Sequence, residues 1–227
     1  MRQARARIAG MKSFRAVVWG LLLGAGLVNG RAQSTNALPP SAILPAKTNG
    51  LYHLNLMGSY RRPWNGDYDW WTLGTVSFGK MLDRHNSLDA MLSGGLVQLR
   101  PGTPADLGAH QPVYLGLGAV WSYYLTPPKT AFKPYVTAGA NLLWMTWSYR
   151  NEVNSKNFGG IRRDFLEGLD GYAGVGLKVR LQKRLDAFAE FDVGGTAFLP
   201  DTYSGVHNDL FADFGYVGVT GGLSLKF

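Results

Sequence analysis

Gly171-Tyr172-Ala173-Gly174-Val175-Gly176-Leu177-Lys178-Val179-Arg180-Leu181 alternates without a break. Ala173, Val175, Leu177, Val179 and Leu181 fall on one face; Tyr172, Gly174, Gly176, Lys178 and Arg180 fall on the other. Successive side chains of a strand point to opposite faces, so this segment reads as a β-strand with one aliphatic and one polar face. After a turn near 182–184, residues 185–197 repeat the pattern. Leu185, Ala187, Ala189, Phe191 and Val193 oppose Asp186, Phe188, Glu190 and Asp192.

Working outward, the same period recurs along the chain. In 50–61, Tyr52, Leu54, Leu56, Gly58 and Tyr60 oppose His53, Asn55, Met57 and Ser59. In 112–125, Val113, Leu115, Leu117, Ala119, Trp121, Tyr123 and Leu125 oppose Tyr114, Gly116, Gly118, Val120, Ser122 and Tyr124. In 214–227, Val217, Val219, Gly221, Leu223, Leu225 and Phe227 oppose Thr220, Gly222, Ser224 and Lys226. Segments 87–98 and 132–147 follow less cleanly, and 70–81 does not disclose its outward face.

Alternation also suits a soluble sandwich. Three features favour a membrane. Several strands exceed the usual five or six residues and match the ~9–11 of a membrane strand. The major face is aliphatic with aromatics near its ends, which reads as a lipid band with girdles around a polar interior. No amphipathic helix is available to cover an apolar sheet face. In hydrocarbon every backbone N–H and C=O must pair within the protein, so such a sheet must close. The expected fold is all-β: a closed antiparallel transmembrane β-barrel of eight strands over 50–227. Connections near 62–69, 99–111, 148–170 and 198–213 read as long external loops. Those near 82–86, 126–131 and 182–184 read as short periplasmic turns. Eight strands enclose a space just wide enough for side chains to fill, so an open pore is not expected.

Composition agrees with this. Thirty glycines, 13% aromatics and only 17% charged residues describe a β protein in unusual surroundings, since soluble domains carry about 25% charge. The formal charge of +8 would ordinarily raise nucleic acid as a partner. Six of the 23 basic residues lie in residues 1–32, which hold no acid, leaving 17 basic against 15 acidic residues beyond it. No nucleic-acid partner is therefore expected. With no cysteine in the chain, disulfides, thiolate metal sites and a cysteine nucleophile are excluded. Residues 1–32 read as a cleaved signal peptide. Basic residues precede the apolar run 16–28, and Gly30-Arg31-Ala32 supplies a small-x-small cleavage site. The run is too short for the ~20 residues of a spanning helix. Met1 and Met11 are alternative starts. Residues 33–49, rich in Pro, Ala, Ser and Asn, read as a flexible periplasmic tail. These features place the mature chain in a bacterial outer membrane.

The terminus Gly221-Gly222-Leu223-Ser224-Leu225-Lys226-Phe227 resembles the assembly signal of outer-membrane barrels, with Leu223, Leu225 and Phe227 carrying it. Tyr123-Tyr124-Leu125-Thr126-Pro127-Pro128 followed by Phe132-Lys133-Pro134-Tyr135-Val136-Thr137-Ala138-Gly139 resembles a turn and strand of small outer-membrane barrels. The resemblance is to the outer membrane protein W, outer membrane protein A-like and opacity-type families, with Thr137 departing from the usual Gly. It implies contact with outer-membrane lipid and lipopolysaccharide, and with the barrel-assembly machinery through the last strand.

Among chemistry-bearing groups, Lys178 and Arg180 share a face with Asp186, Glu190 and Asp192. Position 178 falls roughly opposite 188, with 186 and 190 as diagonal neighbours. These five read as a charge-compensated lumen network, because an unpaired buried charge costs several kcal/mol. A site for an ion or proton is the alternative. The glycine pairs at 116/118, 174/176 and 194/195 lie inside strands, so they are not nucleotide loops. Trp64, Tyr68, Trp70, Trp71, Trp144, Trp147 and Tyr149 read as an outer aromatic belt. Arg61-Arg62 and Arg162-Arg163 read equally as contacts to lipopolysaccharide phosphates or as solvated loop charges. Lipid A deacylases carry a His-x-Ser-Asn-type stretch on a late strand. The comparable Phe191-Asp192-Val193-Gly194-Gly195-Thr196 has neither His nor Ser. His53 is expected in the lumen, His85 in a periplasmic turn, and His110 and His207 in external loops. No catalytic residue, cofactor or metal site is expected. The function expected is structural or surface-interacting, through external loops and a ligand that the sequence does not name. A narrow conduit or binding barrel for a small apolar solute is the alternative, and a lipid A acyl hydrolase the second.

Overall fold

A computed structural model describes residues 52–64, 67–127, 130–149, 163–199, 211 and 213–227. The signal-peptide and tail expectations therefore lie outside the described residues, as do His207 and Arg162. Eight antiparallel strands form a closed barrel in sequence order: β1 (Tyr52–Pro63), β2 (Tyr68–Met81), β3 (Asn86–Leu99), β4 (Ala109–Tyr124), β5 (Phe132–Tyr149), β6 (Arg163–Gln182), β7 (Leu185–Phe198) and β8 (Phe214–Lys226). β1 closes the sheet on β8, with Leu56 opposite Leu223 and Gly58 opposite Gly221.

The two faces fall as the alternation requires. Leu56, Leu92, Leu117, Val175 and Val219 are about half exposed on the outside, as are Leu223, Leu225 and Phe227. In β2, whose faces the sequence leaves undecided, Val76 and Phe78 point outward and Ser77 is buried inside. Aromatic pairs mark both rims of the outer surface. Tyr52 stacks on Phe78 toward the short-turn end, and Tyr60 stacks on Trp70 toward the long-loop end.

Four boundaries differ from expectation. β6 begins at Arg163, so the connection read as 148–170 shrinks to residues 150–162. The alternation does continue there, but each face mixes polar with apolar residues: Arg163, Phe165, Glu167 and Leu169 face outward, while Leu166, Gly168 and Asp170 are buried inside. A polarity test tuned to lipid fails on strand that has risen above it. β5 and β6 run to 18 and 20 residues, well beyond the ~9–11 that cross hydrocarbon. Their hairpin projects past the girdle at its long-loop end, with Thr146, Ser148 and Glu167 on its outer face. Residues 64–67 alone join β1 to β2, so the expected long loop at 62–69 is a short one. β4 starts at Ala109, carried through a bulge between His110 and Val113. There Gln111 adopts the left-handed backbone region, φ 45°, absorbing the extra residue. Between β3 and β4, a five-residue helix, α1 (Pro104–Gly108), is capped by the Thr103 hydroxyl.

At the other end the turns are tight. Lys183-Arg184 alone separates β6 from β7. In the turn after β2, the Asp83 carboxylate accepts from the backbone N–H of His85 and from both N–H groups of Asn86. Slight burial pushes its carboxyl up, but these hydrogen bonds outweigh it and hold the group below its ordinary value. The His85 ring bonds the Tyr124 carbonyl at 2.7 Å, tying this turn to β4.

The glycine content has a packing reason. Tyr135 lies opposite Gly176, Tyr172 opposite Gly139, Tyr216 opposite Gly194 and Phe188 opposite Gly222. In each pair the ring occupies the space a Cβ on the glycine would need. Aromatic rings laid over bare backbone fill a narrow lumen that two opposed side chains would overfill. The same reasoning separates other positions. A Cβ on Gly95 would sit 1.9 Å from the Thr72 carbonyl oxygen, whereas one on Gly58 would meet nothing within 4 Å. We expect Gly95→Val to lose at least the ~1–3 kcal/mol typical of overpacking, and Gly58→Ala to stay close to wild type. Urea midpoints followed by heat-dependent gel mobility check this; equal midpoints for the two variants would contradict the packing account.

Candidate functional site

The interior is the only place where the described residues gather chemistry, and it is layered. Toward the short turns, β1 and β3 present His53 and Asp89. His53 Nε2 lies 2.9 Å from both carboxylate oxygens, and Asn55 and Ser77 also donate to Asp89, at 2.7 and 3.2 Å. On the opposite wall, Asp186 accepts from Lys133 of β5 at 2.5 Å and from Lys226 of β8. Lys178 turns instead to the Tyr124 hydroxyl, 3.0 Å away. Its ammonium also stands over the rings of Tyr124, Tyr135 and Phe188.

The middle of the lumen holds Glu190 and Asp192. The Tyr135 hydroxyl donates to Glu190 at 3.1 Å, and the Thr220 hydroxyl donates to Asp192 at 3.2 Å. A polar cavity of about 50 Å³ lies between these walls.

Above it, Asp170 of β6 is the hub. It accepts from Arg61 Nη1 at 3.0 Å, Tyr216 at 2.9 Å, Thr196 at 3.1 Å and Asn141 at 3.2 Å. Four donors saturate the acceptor sites of one carboxylate. The Arg61 guanidinium also lies 4.4 Å from the Tyr216 ring centroid.

The long-loop end is apolar. Tyr68, Trp71, Leu73, Val97, Leu99, Tyr114, Leu143, Met145, Trp147, Phe214 and Tyr216 form one buried cluster, joined by Ala105 of α1 and by Phe211. Trp71 packs edge-on against Tyr114 at 5.3 Å and tilts against Phe214 at 4.8 Å.

The residues expected as a lumen network do share the interior. Asp186 and Asp192 are fully buried, Lys178 nearly so, and Arg180 and Glu190 half-buried. The register also matches, with Lys178 opposite Phe188. The pairing does not. Asp186 takes Lys133 and Lys226 rather than the diagonal Lys178, because those two ammonium groups reach the same oxygen from neighbouring strands. Arg61 is a further correction: it is buried against Asp170, not a loop charge. Arg62, next in the strand, is exposed. The aromatic belt is corrected in part. Tyr68, Trp71, Trp147 and Tyr149 point inward and are buried, while Trp64 is exposed and Trp70 and Trp144 half-exposed. The interior expected to be polar turns apolar above Asn141 on β5, where it passes to Leu143, Met145 and Trp147. His53 lies in the lumen, and His85 in a short turn, as expected; His110, expected in an external loop, is the second residue of β4 and is exposed.

Sequence reasoning missed Asp170, Lys133 and Asp89 as members of the interior. Each carried a signal. Asp170 lies two residues before Tyr172, on the same phase; Lys133 lies two before Tyr135; Asp89 follows Ser87. Among the described residues, no three His, Cys, Asp or Glu side chains gather to hold a metal ion.

The sequence matches no family model and no curated relative. Among solved structures, Neisserial surface protein A superposes with a TM-score of 0.54 at 13% identity, covering 79% of this chain and 97% of that one. The likeness is one of fold, that of a small closed β-barrel. The N-terminal β-barrel domain of Pseudomonas aeruginosa OprF gives a TM-score of 0.43 at 17% identity, over 78% of this chain and 99% of that one. Ail, the attachment invasion locus protein of Yersinia pestis, gives 0.43 at 10% identity, over 78% and 97%.

We expect Asp170→Ala to cost roughly 3–5 kcal/mol, because it strands the Arg61 charge in the interior. The double variant Arg61→Met with Asp170→Leu should recover most of that loss. Glu190→Leu, which removes one hydrogen bond, should cost less than Asp170→Ala. Urea midpoints of the four proteins test the order, and a double variant no more stable than Asp170→Ala would contradict the stranded-charge account.

Proposed function

We propose that this chain is a bacterial outer-membrane protein acting at the cell surface through its long loops, with the lumen as its structural core and no catalytic role. Residues 1–32 act as a cleaved signal peptide in this reading, and 33–49 as a periplasmic tail. The strand end at Leu223, Leu225 and Phe227 is offered to the barrel-assembly machinery. The long-loop end then faces outward, and Arg62 and Arg163 are placed to meet lipopolysaccharide phosphates.

One observation carries the proposal. The apolar cluster of Trp71, Tyr114, Leu143, Met145 and Phe214 fills the lumen at its long-loop end, directly above the saturated Asp170 hub. A solute conduit would have to displace these packed rings. The long β5–β6 hairpin gives the reading a second support, since its strands of 18 and 20 residues exceed the ~9–11 that cross hydrocarbon. A lipid A acyl hydrolase would need a nucleophile and base beside β7. There the Thr196 hydroxyl is already committed to Asp170 at 3.1 Å.

In planar bilayers the purified protein should give no discrete channel events, and expressing cells should keep an unchanged lipid A acyl pattern by mass spectrometry. Protease added to intact cells should cut within residues 150–162 or 200–210 and leave a membrane-embedded remainder. Stepwise conductance would overturn the closed-lumen reading, and complete protection on intact cells would overturn the surface orientation.

A further inference from the structure

The short-turn mouth of the lumen is unlike the rest. It opens into a cavity of about 180 Å³ that five cationic side chains line: Lys133, Lys178, Arg180, Lys183 and Lys226. Among the described residues only one carboxylate, Asp186, lines it with them. That carboxylate is shared, because Lys133 and Lys226 converge on the same oxygen. Lys133 and Lys178 are more than nine-tenths buried. Among the described residues, Lys178 meets a phenol and three ring faces but no carboxylate within ion-pair distance. Ser224 also lines the cavity. It is 1% exposed, and its hydroxyl has no hydrogen-bond partner.

Charges removed from water need compensation. Here the cations outnumber the acid, two of them are buried, and a buried hydroxyl is left unpaired beside them. The geometry points to a binding site for a small multivalent oxyanion, of the phosphate or pyrophosphate class, at the short-turn mouth of the barrel. Several ammonium and guanidinium groups around one cavity suit an anion whose oxygens accept from many directions. Lys178 of β6 and Ser224 of β8 would supply donors from the two strands that flank β7. The volume limits the occupant to a small group, which excludes an acidic polypeptide chain. The apolar seal at the other end makes the cavity a blind site, entered and left by one mouth. The bound group could be a free anion or the headgroup of a phospholipid reaching the rim; the chemistry is the same.

The site does not depend on which compartment the mouth faces, so its test is separate from that of the surface role. The purified protein in an uncharged maltoside detergent would be titrated calorimetrically with sodium pyrophosphate at fixed ionic strength. A second titration would use short-chain phosphatidic acid. Saturable one-to-one binding is expected for at least one of them. Lys178→Met should weaken it about tenfold or more, as loss of a charge-assisted bond requires. Lys80→Met should leave it unchanged, since Lys80 is exposed on the outer face of β2. Lys178→Met places an apolar chain among Tyr124, Tyr135 and Phe188, and retained heat-dependent gel mobility would establish that it still folds. Binding of pyrophosphate assigns a free anion; binding of the lipid alone, with the same Lys178 dependence, assigns a headgroup. No saturable heat with either ligand, or equal affinity in wild type and Lys178→Met, would overturn the site.

Discussion

A sheet placed in hydrocarbon cannot keep an edge, and the pairing of β1 with β8 is where this chain meets that constraint. Eleven residue pairs from His53–Lys226 to Pro63–Tyr216 join the two strands, so neither presents unpaired N–H and C=O groups to lipid along that length. Closure with eight strands then fixes the interior at about the width of packed side chains. Much else follows from that narrowness. In the polar part of the lumen four large rings are laid over glycine on a neighbouring strand, as Tyr135, Tyr172, Phe188 and Tyr216 each face one.

The same narrowness governs the charges. A carboxylate in the lumen has little water to turn to, so donors must come from neighbouring strands. Asp170 draws on β1, β5, β7 and β8 through Arg61, Asn141, Thr196 and Tyr216. Its bonds therefore run between strands far apart in sequence and brace the barrel across its interior as well as along its ladders. Asp89 does the same on a smaller scale, gathering His53, Asn55 and Ser77 from two strands. Removing one member of such a network costs more than its bond contributes, because the partner is left buried and unmet.

The barrel itself was legible because lipid imposes a simple rule on the outer face, and Val175, Leu177 and Leu223 obey it. The interior was legible only to the level of phase. Lys178, Asp186 and Asp192 were correctly assigned to one face, since phase is a local property of the chain. Their partners were not, because which ammonium reaches Asp186 depends on side-chain length and on a strand, β5, that adjoins β6 rather than β7. Where the rule of the lipid stops, reading stopped too. Arg163 to Asp170 alternate in burial as regularly as their continuation, yet each face mixes polar with apolar residues, Arg163 with Phe165 outside and Leu166 with Asp170 inside, so the stretch reads as a loop. Arg61 was misread for a related reason: a cation beside a second one near a strand end looks like loop chemistry until the lumen supplies Asp170.

What emerges is a lumen whose two ends obey different solvents. Above Asp170 the inner face passes to Leu143, Met145, Trp147 and Phe214, side chains that gain by excluding water from the end of the barrel. At the other mouth Lys133, Lys178 and Lys226 gather around a cavity, an arrangement that calls for water or an anion to reach them. A uniform pore would need neither feature. An inert plug would need no surplus of cations, since apolar side chains of similar volume would fill the mouth at less desolvation cost. The asymmetry therefore assigns separate work to the two ends: the sealed one supports the projecting strands, and the open one is left to meet negative charge.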